Sequence, residues 1–318
     1  MPGQLRDPVP PAQVRILVLD STRREPEPVA ALRHLLRSIE RLPTSVAVGV
    51  GIGASWFTEG RARSLKLAAM PGFAGDVPDP RHTHGDVLVQ FASSRQSPIA
   101  EAAESLRGAM GSGWRVRWQL DGFRPDNRAE GGRGLARNPF HFSEGFGNPD
   151  SERETRQRVL IRADQGLPEW SVGGSFQVVR IVQLATELWD ADSVKEQEQL
   201  IGRRRDGRWL DGTPADERPD FATDPKGRMT PLDSHVRLAA PNRRRPPPIV
   251  RRSYSYDRGN GDTGLIFSCF QRDLRTGFEA VQKRLEHEAM AKYLLTTGGG
   301  YFFVPPTSPD WLEKIASK

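Results

Sequence analysis

Apolar residues recur along the chain in two patterns, and the order of these patterns predicts an α+β protein. In the first 120 residues, two stretches carry apolar side chains at helical spacing, residues 28–42 and 98–110. Four others are continuous or alternating apolar runs of strand length: residues 14–19, 45–50, 86–91 and 115–120. The order strand-helix-strand-strand-helix-strand predicts a ferredoxin-like unit with an antiparallel sheet.

The rest of the chain repeats this rhythm and predicts a second ferredoxin-like half. Residues 121–138 are rich in glycine, arginine and acidic residues and form the predicted linker, so we expect domains at residues 12–137 and 138–318. The predicted elements of the second half are strands at residues 174–184, 264–270 and 300–304, and helices at residues 192–201 and 274–289.

One connection in the second half is too long to be an ordinary loop. It covers residues 202–262, between the first predicted helix of that half and the next strand. Long irregular segments inside compact domains are usually functional. We therefore expect the chemistry of the protein to lie in this segment.

Composition and charge are those of a soluble enzyme and exclude several other classes. The 318 residues, 36% of them hydrophobic, are enough for a large core and fit two domains better than one. The net charge of +6 comes from scattered arginines, without the basic face and stacking aromatics of a nucleic-acid reader. No apolar run is long enough to span a membrane, and residues 1–14 lack a signal-peptide core, so we expect a cytoplasmic protein.

Three local features could indicate a functional site, but we prefer an ordinary structural interpretation of each. Residues 49–54 fit a loose dinucleotide-binding pattern, but no helix follows, so a tight strand exit is the better interpretation. His82 and His84 lack a third ligand at metal-binding spacing. Cys269, the single cysteine, lies in an apolar run and is interpreted as a buried strand residue.

The long segment contains the residues best suited to redox chemistry. His235 lies in the sequence Asp-Ser-His-Val-Arg, and Arg251 follows 251 − 235 = 16 residues later. Imidazole is one of the few side chains that can be an axial ligand of haem iron. An arginine is a fixed cation suited to polarising a bound peroxide. Without further evidence, a histidine and an arginine at this spacing more often indicate a histidine in a polar turn than a haem site.

The surrounding sequence resembles the dye-decolorizing peroxidase family over nearly the whole chain. Any one of the matching segments would be weak, but ten occur in the family's order. They are residues 67–76 (LAAMPGFAGD), 84–90 (HGDVLVQ), 118–123 (WQLDGF), 145–149 (GFGNP), 173–183 (GGSFQVVRIVQ), 197–204 (QEQLIGRR), 233–237 (DSHVR), 249–256 (IVRRSYSY), 264–273 (GLIFSCFQRD) and 298–305 (GGGYFFVP).

The resemblance implies a fold, a cofactor and three site residues. The fold is α+β, with two ferredoxin-like domains of antiparallel sheet as in dye-decolorizing peroxidases and chlorite dismutases, and haem b in the C-terminal half. His235 is implied to be the proximal iron ligand, Arg251 the distal arginine and Arg203 a contact to a haem propionate. The implied reaction uses hydrogen peroxide to oxidise a small organic, typically aromatic, substrate, and we expect a homo-oligomer.

The sequence departs from the family's distal signature, Gly-x-x-Asp-Gly, whose aspartate is assigned to proton transfer from peroxide. We match this signature to residues 145–149, which places Asn148 at the aspartate. An amide has no basic site at neutral pH, so altered distal chemistry follows. Three alternatives stay open: Arg251 acts without a carboxylate, Asp150 turns into the pocket although an exposed loop position is expected for it, or the pocket serves another haem reaction.

A second departure concerns the partner of the proximal histidine. Many family members have a carboxylate there that accepts the other ring N–H of the imidazole. In this chain Lys292 lies near the expected position and cannot accept that proton. Glu288, one helical turn earlier, is within conceivable reach, but we expect an exposed helix acid.

The sequence therefore leaves three functions open. The first is a haem peroxidase-type oxidoreductase with altered distal acid–base chemistry. The second is a pathway-specific haem enzyme that catalyses a different oxidation or rearrangement. The third is a haem-binding protein without turnover.

Overall fold

The fold is built on one antiparallel sheet that both halves of the chain share. The computed structural model describes residues 5, 9–23, 27–125, 136–214, 217, 220–240, 248–308 and 310–316. The strands within these residues are β1 (Gln13–Ser21), β2 (Ala47–Gly53), β3 (Val87–Ser93), β4 (Trp114–Phe123), β5 (Ser175–Leu184), β6 (Val250–Arg251), β7 (Tyr254–Asp257), β8 (Thr263–Gln271) and β9 (Leu294–Val304).

Helices of 5 to 14 residues connect these strands. Most begin and end close to the predicted positions, and Ser193 starts the helix predicted at 192–201 through a capping box with Glu196. The helices are α1 (Val29–Glu40), α2 (Glu59–Ser64), α3 (Gln96–Ala109), α4 (Glu152–Val159), α5 (Thr186–Ala191), α6 (Val194–Ile201), α7 (His235–Ala239), α8 (Ala280–Leu285) and α9 (Asp310–Ala316).

The helix predicted at residues 274–289 is shorter and irregular. It starts as a π-helical turn, Arg275–Glu279, with a kink at Gly277, and α8 ends at Leu285. A Cβ atom at position 277 would approach Gln271 Cγ to 3.0 Å, so the glycine permits close packing against β8. The chain after α8 is therefore free to turn back toward the long segment.

The sheet closes on itself. Its order is β5-β9-β2-β3-β1-β4-β7-β8-β6, and an additional β5–β8 pairing closes the strands of both halves, except β6, into one barrel-like ring. Strands β1 to β4 are contiguous in this order, and the second half contacts them at two short seams. The β2–β9 seam has two register pairs and the β4–β7 seam has one, Phe123 with Ser255. The α+β class and the antiparallel sheet predicted from the sequence are confirmed.

The alternation of strand β1 shows how the sequence fills both sides of the sheet. Val14, Ile16 and Val18 belong to a core cluster inside the ring, together with residues of β3, β4, β5, β7, β8 and β9. Leu17 and Leu19 point the other way, into the larger core that packs under α1 and α3. Both faces are apolar, so the strand reads as a nearly continuous hydrophobic run.

The structure confirms the structural interpretations of residues 49–54 and of Cys269. Strand β2 ends at Gly53 and leads into a 3-10 turn, Ala54–Trp56; the next helix, α2, begins only at Glu59 and is six residues long, so no helix begins directly after the glycine pattern. A Cβ at Gly53 would lie 1.9 Å from the carbonyl oxygen of Gly85, so this glycine serves strand packing. Cys269 is fully buried in β8, where burial raises the pKa of its thiol and keeps it unreactive.

Two further sequence features are only partly covered by the structure. The predicted linker starts later than expected, because residues 121–123 still belong to β4, and its central residues 126–135 lie outside the described part of the chain. Among the described residues, no helix has both the length and the apolar character needed to cross a membrane.

A buried ion pair connects the two halves at a distance from the seams. Asp76, from the first half, pairs with Arg180 of β5, and both side chains are less than 10% exposed. The guanidinium lies 5.2 Å from the ring centre of Phe73 and 5.7 Å from that of Phe278. A charge buried between aromatic rings depends on its counter-ion, because water cannot replace it.

We expect Asp76→Ala to destabilise the protein by about 3–5 kcal/mol, because it leaves the Arg180 charge buried without a counter-ion. The matched control is Glu59→Ala, which removes an ion pair with Arg63 whose side chains are more than three quarters exposed and changes stability by less than about 1 kcal/mol. Urea unfolding followed by circular dichroism measures both. Equal effects of the two substitutions would contradict the importance of this pair.

Candidate functional site

The long segment predicted to carry the chemistry folds back onto helix α6. That helix ends at Gly202, which has a φ of +90° and forms its left-handed C-terminal cap. A Cβ at this position would lie 2.7 Å from Ser234 Oγ and 2.6 Å from Val236 Cγ2. Gly202 therefore allows α7, which starts at His235, to pack directly beside Arg203.

His235 has a carboxylate partner, and this corrects the expectation for Glu288. Nδ1 of His235 lies 2.6 Å from Oε2 of Glu288, whose side chain is only 6% exposed. Glu288 is thus buried at the turn after α8, and the prediction of an exposed helix acid was wrong. A carboxylate accepts from Nδ1–H, which leaves Nε2 with its lone pair as the ligand atom. Among the described residues, no hydrogen bond reaches Nε2 of His235.

Lys292, the other residue considered for this position, points elsewhere. Its Nζ lies 3.9 Å from a carboxylate oxygen of Asp192 and 4.7 Å from the centre of the Tyr293 ring, and its side chain is 60% exposed. The lysine therefore does not replace the missing acceptor. Glu288 supplies that function from four residues earlier in the chain.

Arg251 is held by its backbone as well as by its side chain. It lies in the short strand β6, which pairs with β8 at Cys269. Its guanidinium Nη2 donates to the carbonyl of Phe146. Its backbone N–H donates to Oδ1 of Asn148 at 2.9 Å, and its carbonyl accepts from Nδ2 of the same amide at 2.9 Å. Asn148 thus uses both ends of its amide to fix the backbone of Arg251.

A partly buried carboxylate, Glu144, with 19% of its side chain exposed, accompanies Arg251 and was not among the predicted residues. Its Oε2 lies 3.7 Å from Nη1 of Arg124. Burial raises the pKa of Glu144 above its ordinary value. The positive charges of Arg124, Arg251 and Arg203 oppose that rise, with Arg124 first, as does a hydrogen bond with Asn138. A carboxylate therefore lies within the field of three guanidinium groups.

The residues around Glu144 also fit the spacing of the distal signature, four positions before the match that places Asn148 at the acid. Residues 141–145 read His-Phe-Ser-Glu-Gly, which keeps the spacing of Gly-x-x-Asp-Gly with the acid in the fourth position. His141 adopts a φ of +68°, the left-handed conformation that favours glycine. The backbone at position 141 thus has the geometry that the first glycine of the signature would serve.

Arg203 completes the cluster as a cation that forms no salt bridge with the described residues. Its Nη2 donates to the carbonyl of Ser143, and its guanidinium lies 4.4 Å from the centre of the Phe146 ring. Nη1 is buried and has no hydrogen-bond partner within the part of the chain that the structure describes. Burial and the nearby charge of Arg251 lower the pKa of Arg203 to about 9. An anionic group is the partner that this site requires.

The site residues therefore fall into two groups near the end of helix α6. His235 and Glu288 form an imidazole–carboxylate pair, and Arg203, Arg251 and Glu144 form a charged cluster. His82 pairs with Asp79 at 3.3 Å, and the described residues contain no cluster of three or more potential metal ligands. The arrangement suits a metal centre with one protein ligand.

Comparisons with known proteins agree with this arrangement. Residues 18–124 match the family described as "Dyp-type peroxidase, N-terminal", and residues 135–309 match "Dyp-type peroxidase, C-terminal". Among curated proteins, the chain is similar to "Deferrochelatase" of Escherichia coli (strain UTI89 / UPEC). That relative is 37% identical over 290 residues, which are 86% of this chain and 69% of the relative.

Solved structures show the same similarity. The DyP-type peroxidase from Streptomyces coelicolor is 28% identical, with a TM-score of 0.84 over 96% of this chain and 92% of that one. The DyP-type peroxidase from Cellulomonas bogoriensis is also 28% identical, with a TM-score of 0.82 over 96% of this chain and 94% of that one.

The contacts of Asn148 predict the effect of introducing an acid there. Asn148→Asp loses the donor to the Arg251 carbonyl and places two oxygens against each other, so we expect a loss of about 1–3 kcal/mol in stability. The control is Asn260→Asp in an exposed turn, with a change within about 0.5 kcal/mol. Urea unfolding measures both. An unchanged or higher stability of Asn148→Asp would show that the amide does not hold this backbone.

Proposed function

The chain belongs to the Dyp-type peroxidase family, whose members are haem enzymes that use hydrogen peroxide, and we propose that His235 is the iron ligand and that Glu144 and Arg251 act on the peroxide. The proposal rests on one observation above all. A carboxylate and a guanidinium, both largely shielded from solvent, share the cluster beside the histidine's helix.

The residues present fit a haem on both counts that the structure tests. Nε2 of His235 is left as the ligand atom by the Nδ1–Glu288 hydrogen bond, and the carboxylate raises the basicity of the imidazole. The unpartnered Nη1 of Arg203 is suited to a haem propionate, an anion that would restore the charge balance. When bound, haem iron supplies the electrons that reduce peroxide and then withdraws them from the organic substrate.

The acid–base part of the reaction is assigned to Glu144. As a carboxylate it would accept a proton from one oxygen of the peroxide, and as the acid it would return that proton to the other oxygen, which leaves as water when the O–O bond breaks. Its buried position raises its pKa, so that it holds a proton more readily than an exposed acid does. Arg251 stabilises the negative charge that develops on the oxygens.

With Glu144 as the acid–base residue, the residue proposed for proton transfer changes, but the proposed peroxidase function does not. The sequence predicted Asn148 at the position of the family's acid, whereas its hydrogen bonds support a role in holding Arg251. Asp150 is exposed, which does not support its use in place of an acid. With Glu144 in this role the pocket has a full acid–base residue, and a small organic substrate remains the proposed electron donor.

We also infer that each half of the chain is a ferredoxin-like unit, with domains at 12–137 and 138–318. The first half has the strand order β4-β1-β3-β2, and the second half has the order β9-β5-β8-β7. When the strands of each half are numbered along the chain without the short strand β6, both orders are 4-1-3-2, which supports this inference. The separate family matches, which end at residue 124 and begin at residue 135, also support it. A homo-oligomer and a cytoplasmic location stay predictions.

The decisive variant is Glu144→Gln, which keeps the shape of the side chain and removes its basic site. We expect the rate of the Soret absorbance change after mixing with peroxide to fall by about 10²–10⁴-fold, because proton transfer loses its acceptor. Glu144→Asp is the matched control and retains a much higher rate than the Gln variant. Stopped-flow mixing measures both rates in haem-loaded protein of verified haem content.

A rate unchanged in Glu144→Gln would contradict the assignment of this residue. If the unmodified protein binds haem but its Soret band does not respond to peroxide at all, the two alternatives from the sequence gain support, a haem carrier or a haem enzyme with another reaction. If His235→Ala retains haem with an unaltered ligand-field spectrum, the assignment of the iron ligand is wrong.

A second candidate activity follows from the 37% identity with deferrochelatase, whose name denotes the removal of iron from a chelate. We test it by incubating the haem-loaded protein under anaerobic reducing conditions and measuring porphyrin fluorescence, which haem iron quenches. Stoichiometric appearance of metal-free porphyrin that His235→Ala abolishes would establish this activity. Fluorescence no higher than that of free haem treated in parallel would exclude it.

A further inference from the structure

Arg124 connects the first half of the chain to the charged cluster. It follows directly after β4, and its backbone N–H donates to the carbonyl of Ala12 at 2.8 Å, which extends the pairing with β1 by one residue. The β4–β7 seam, where Phe123 pairs with Ser255, is one residue away. Arg124 thus lies at the point where the first half contacts the second.

The side chain of Arg124 reaches across this seam. Its Nη1 donates to the carbonyl of Ser253 at 2.9 Å and lies 3.7 Å from Oε2 of Glu144. The guanidinium carbon lies 6.0 Å from the centre of the Tyr254 ring. The side chain is only 9% exposed, so the interaction with the carboxylate is weakly screened by solvent.

The neighbours of Glu144 show why this cation matters. Arg251 and Arg203 face the carboxylate from the second half, Asn138 donates a hydrogen bond, and Arg124 faces it from the first half. Arg251 and Arg203 have other tasks, since the first donates to Phe146 and the second to Ser143. Among the described residues, Arg124 is the cation that forms an ion pair with this carboxylate, at 3.7 Å.

We propose that Arg124 is a positioning residue of the peroxide site, which fixes the carboxylate of Glu144 and keeps it ionised in a buried environment. This inference rests on the proposed function of Glu144. Arg124 does not contact the peroxide in this scheme. It acts through Glu144, by favouring the charged form that accepts the proton.

The sign of the expected effect follows from the role of the carboxylate. Glu144 must be deprotonated to accept a proton, so the rate falls as the pH falls through its pKa. Burial raises the pKa of Glu144, and the charge of Arg124 opposes that rise. Removing this charge therefore moves the midpoint of the rate to higher pH. Below the midpoint, each pH unit of displacement lowers the rate about tenfold.

A purely structural explanation competes with this proposal. The hydrogen bond to Ser253 and the contact with Tyr254 could serve only to join the halves. In that case substitution would lower stability and leave the titration of Glu144 in place. The experiment therefore has to measure the titration itself, and not only the rate.

We compare Arg124→Met, which removes the charge, with Arg124→Lys, which retains it. In ferric haem-loaded protein without peroxide, infrared titration follows the C=O band of the protonated Glu144, identified by its loss in Glu144→Gln. Arg124→Met should move the midpoint of this band, and the acid limb of the peroxide reaction, to higher pH by the same amount. Arg124→Lys should restore most of both.

The matched control is Arg117→Met on the same strand, which removes an arginine that donates to Thr83 and pairs with Asp20. It should leave the midpoint unchanged. Unchanged midpoints in Arg124→Met would overturn the inference while Glu144→Gln still slows the reaction. If Glu144→Gln does not slow the reaction, the proposed function fails instead, whatever the midpoint of Arg124→Met.

Discussion

The chemistry of this protein depends on charges that the fold holds away from water. Three arginines, Arg124, Arg203 and Arg251, lie around the one carboxylate of Glu144. Their number exceeds that of the acid, so the cluster carries an excess of positive charge in a region of low dielectric. Such an excess favours anions, which suits both a haem propionate and a peroxide that loses its proton.

The closed sheet makes this concentration of charge possible. Arg124 comes from the end of β4, Arg251 from β6, Arg203 from the end of α6, and Glu144 from the segment before α4. No short stretch of sequence could bring four such groups together. The ring aligns the end of β4 with the beginning of β7, and the backbone around Asn148 then fixes Arg251 against the same cluster.

Most of the fold could be predicted from the sequence, because apolar periodicity is a local property. Strands β1 to β5 and β8 follow directly from it, whereas the kink at Gly277 depends on packing against Gln271 and shortens the predicted helix. The closure of the sheet depends on contacts between residues such as Ile181 and Ile266, which are far apart in the chain. Local patterns do not encode such pairings.

The sequence predicted the residues that are proposed to contact haem and peroxide. It did not predict the carboxylates that accompany them. His235, Arg203 and Arg251 lie in segments that resemble a family, and each has surroundings in the structure that suit its predicted role. Glu288 was expected to be exposed because its burial depends on His235, 53 residues away. Glu144 was not predicted because His141 stands where the signature, if matched to residues 141–145, would have its first glycine; the left-handed backbone of His141 is compatible with that match.

The short β4–β7 seam has a consequence for the dynamics of the molecule. A single register pair joins the two halves there, so local separation breaks far fewer backbone hydrogen bonds than global unfolding. Since Arg124 bridges this junction to Glu144, a local separation of the strands would alter the electric field at the acid. Under the proposal for Arg124, opening of this seam and the proton affinity of Glu144 would therefore be coupled through one side chain.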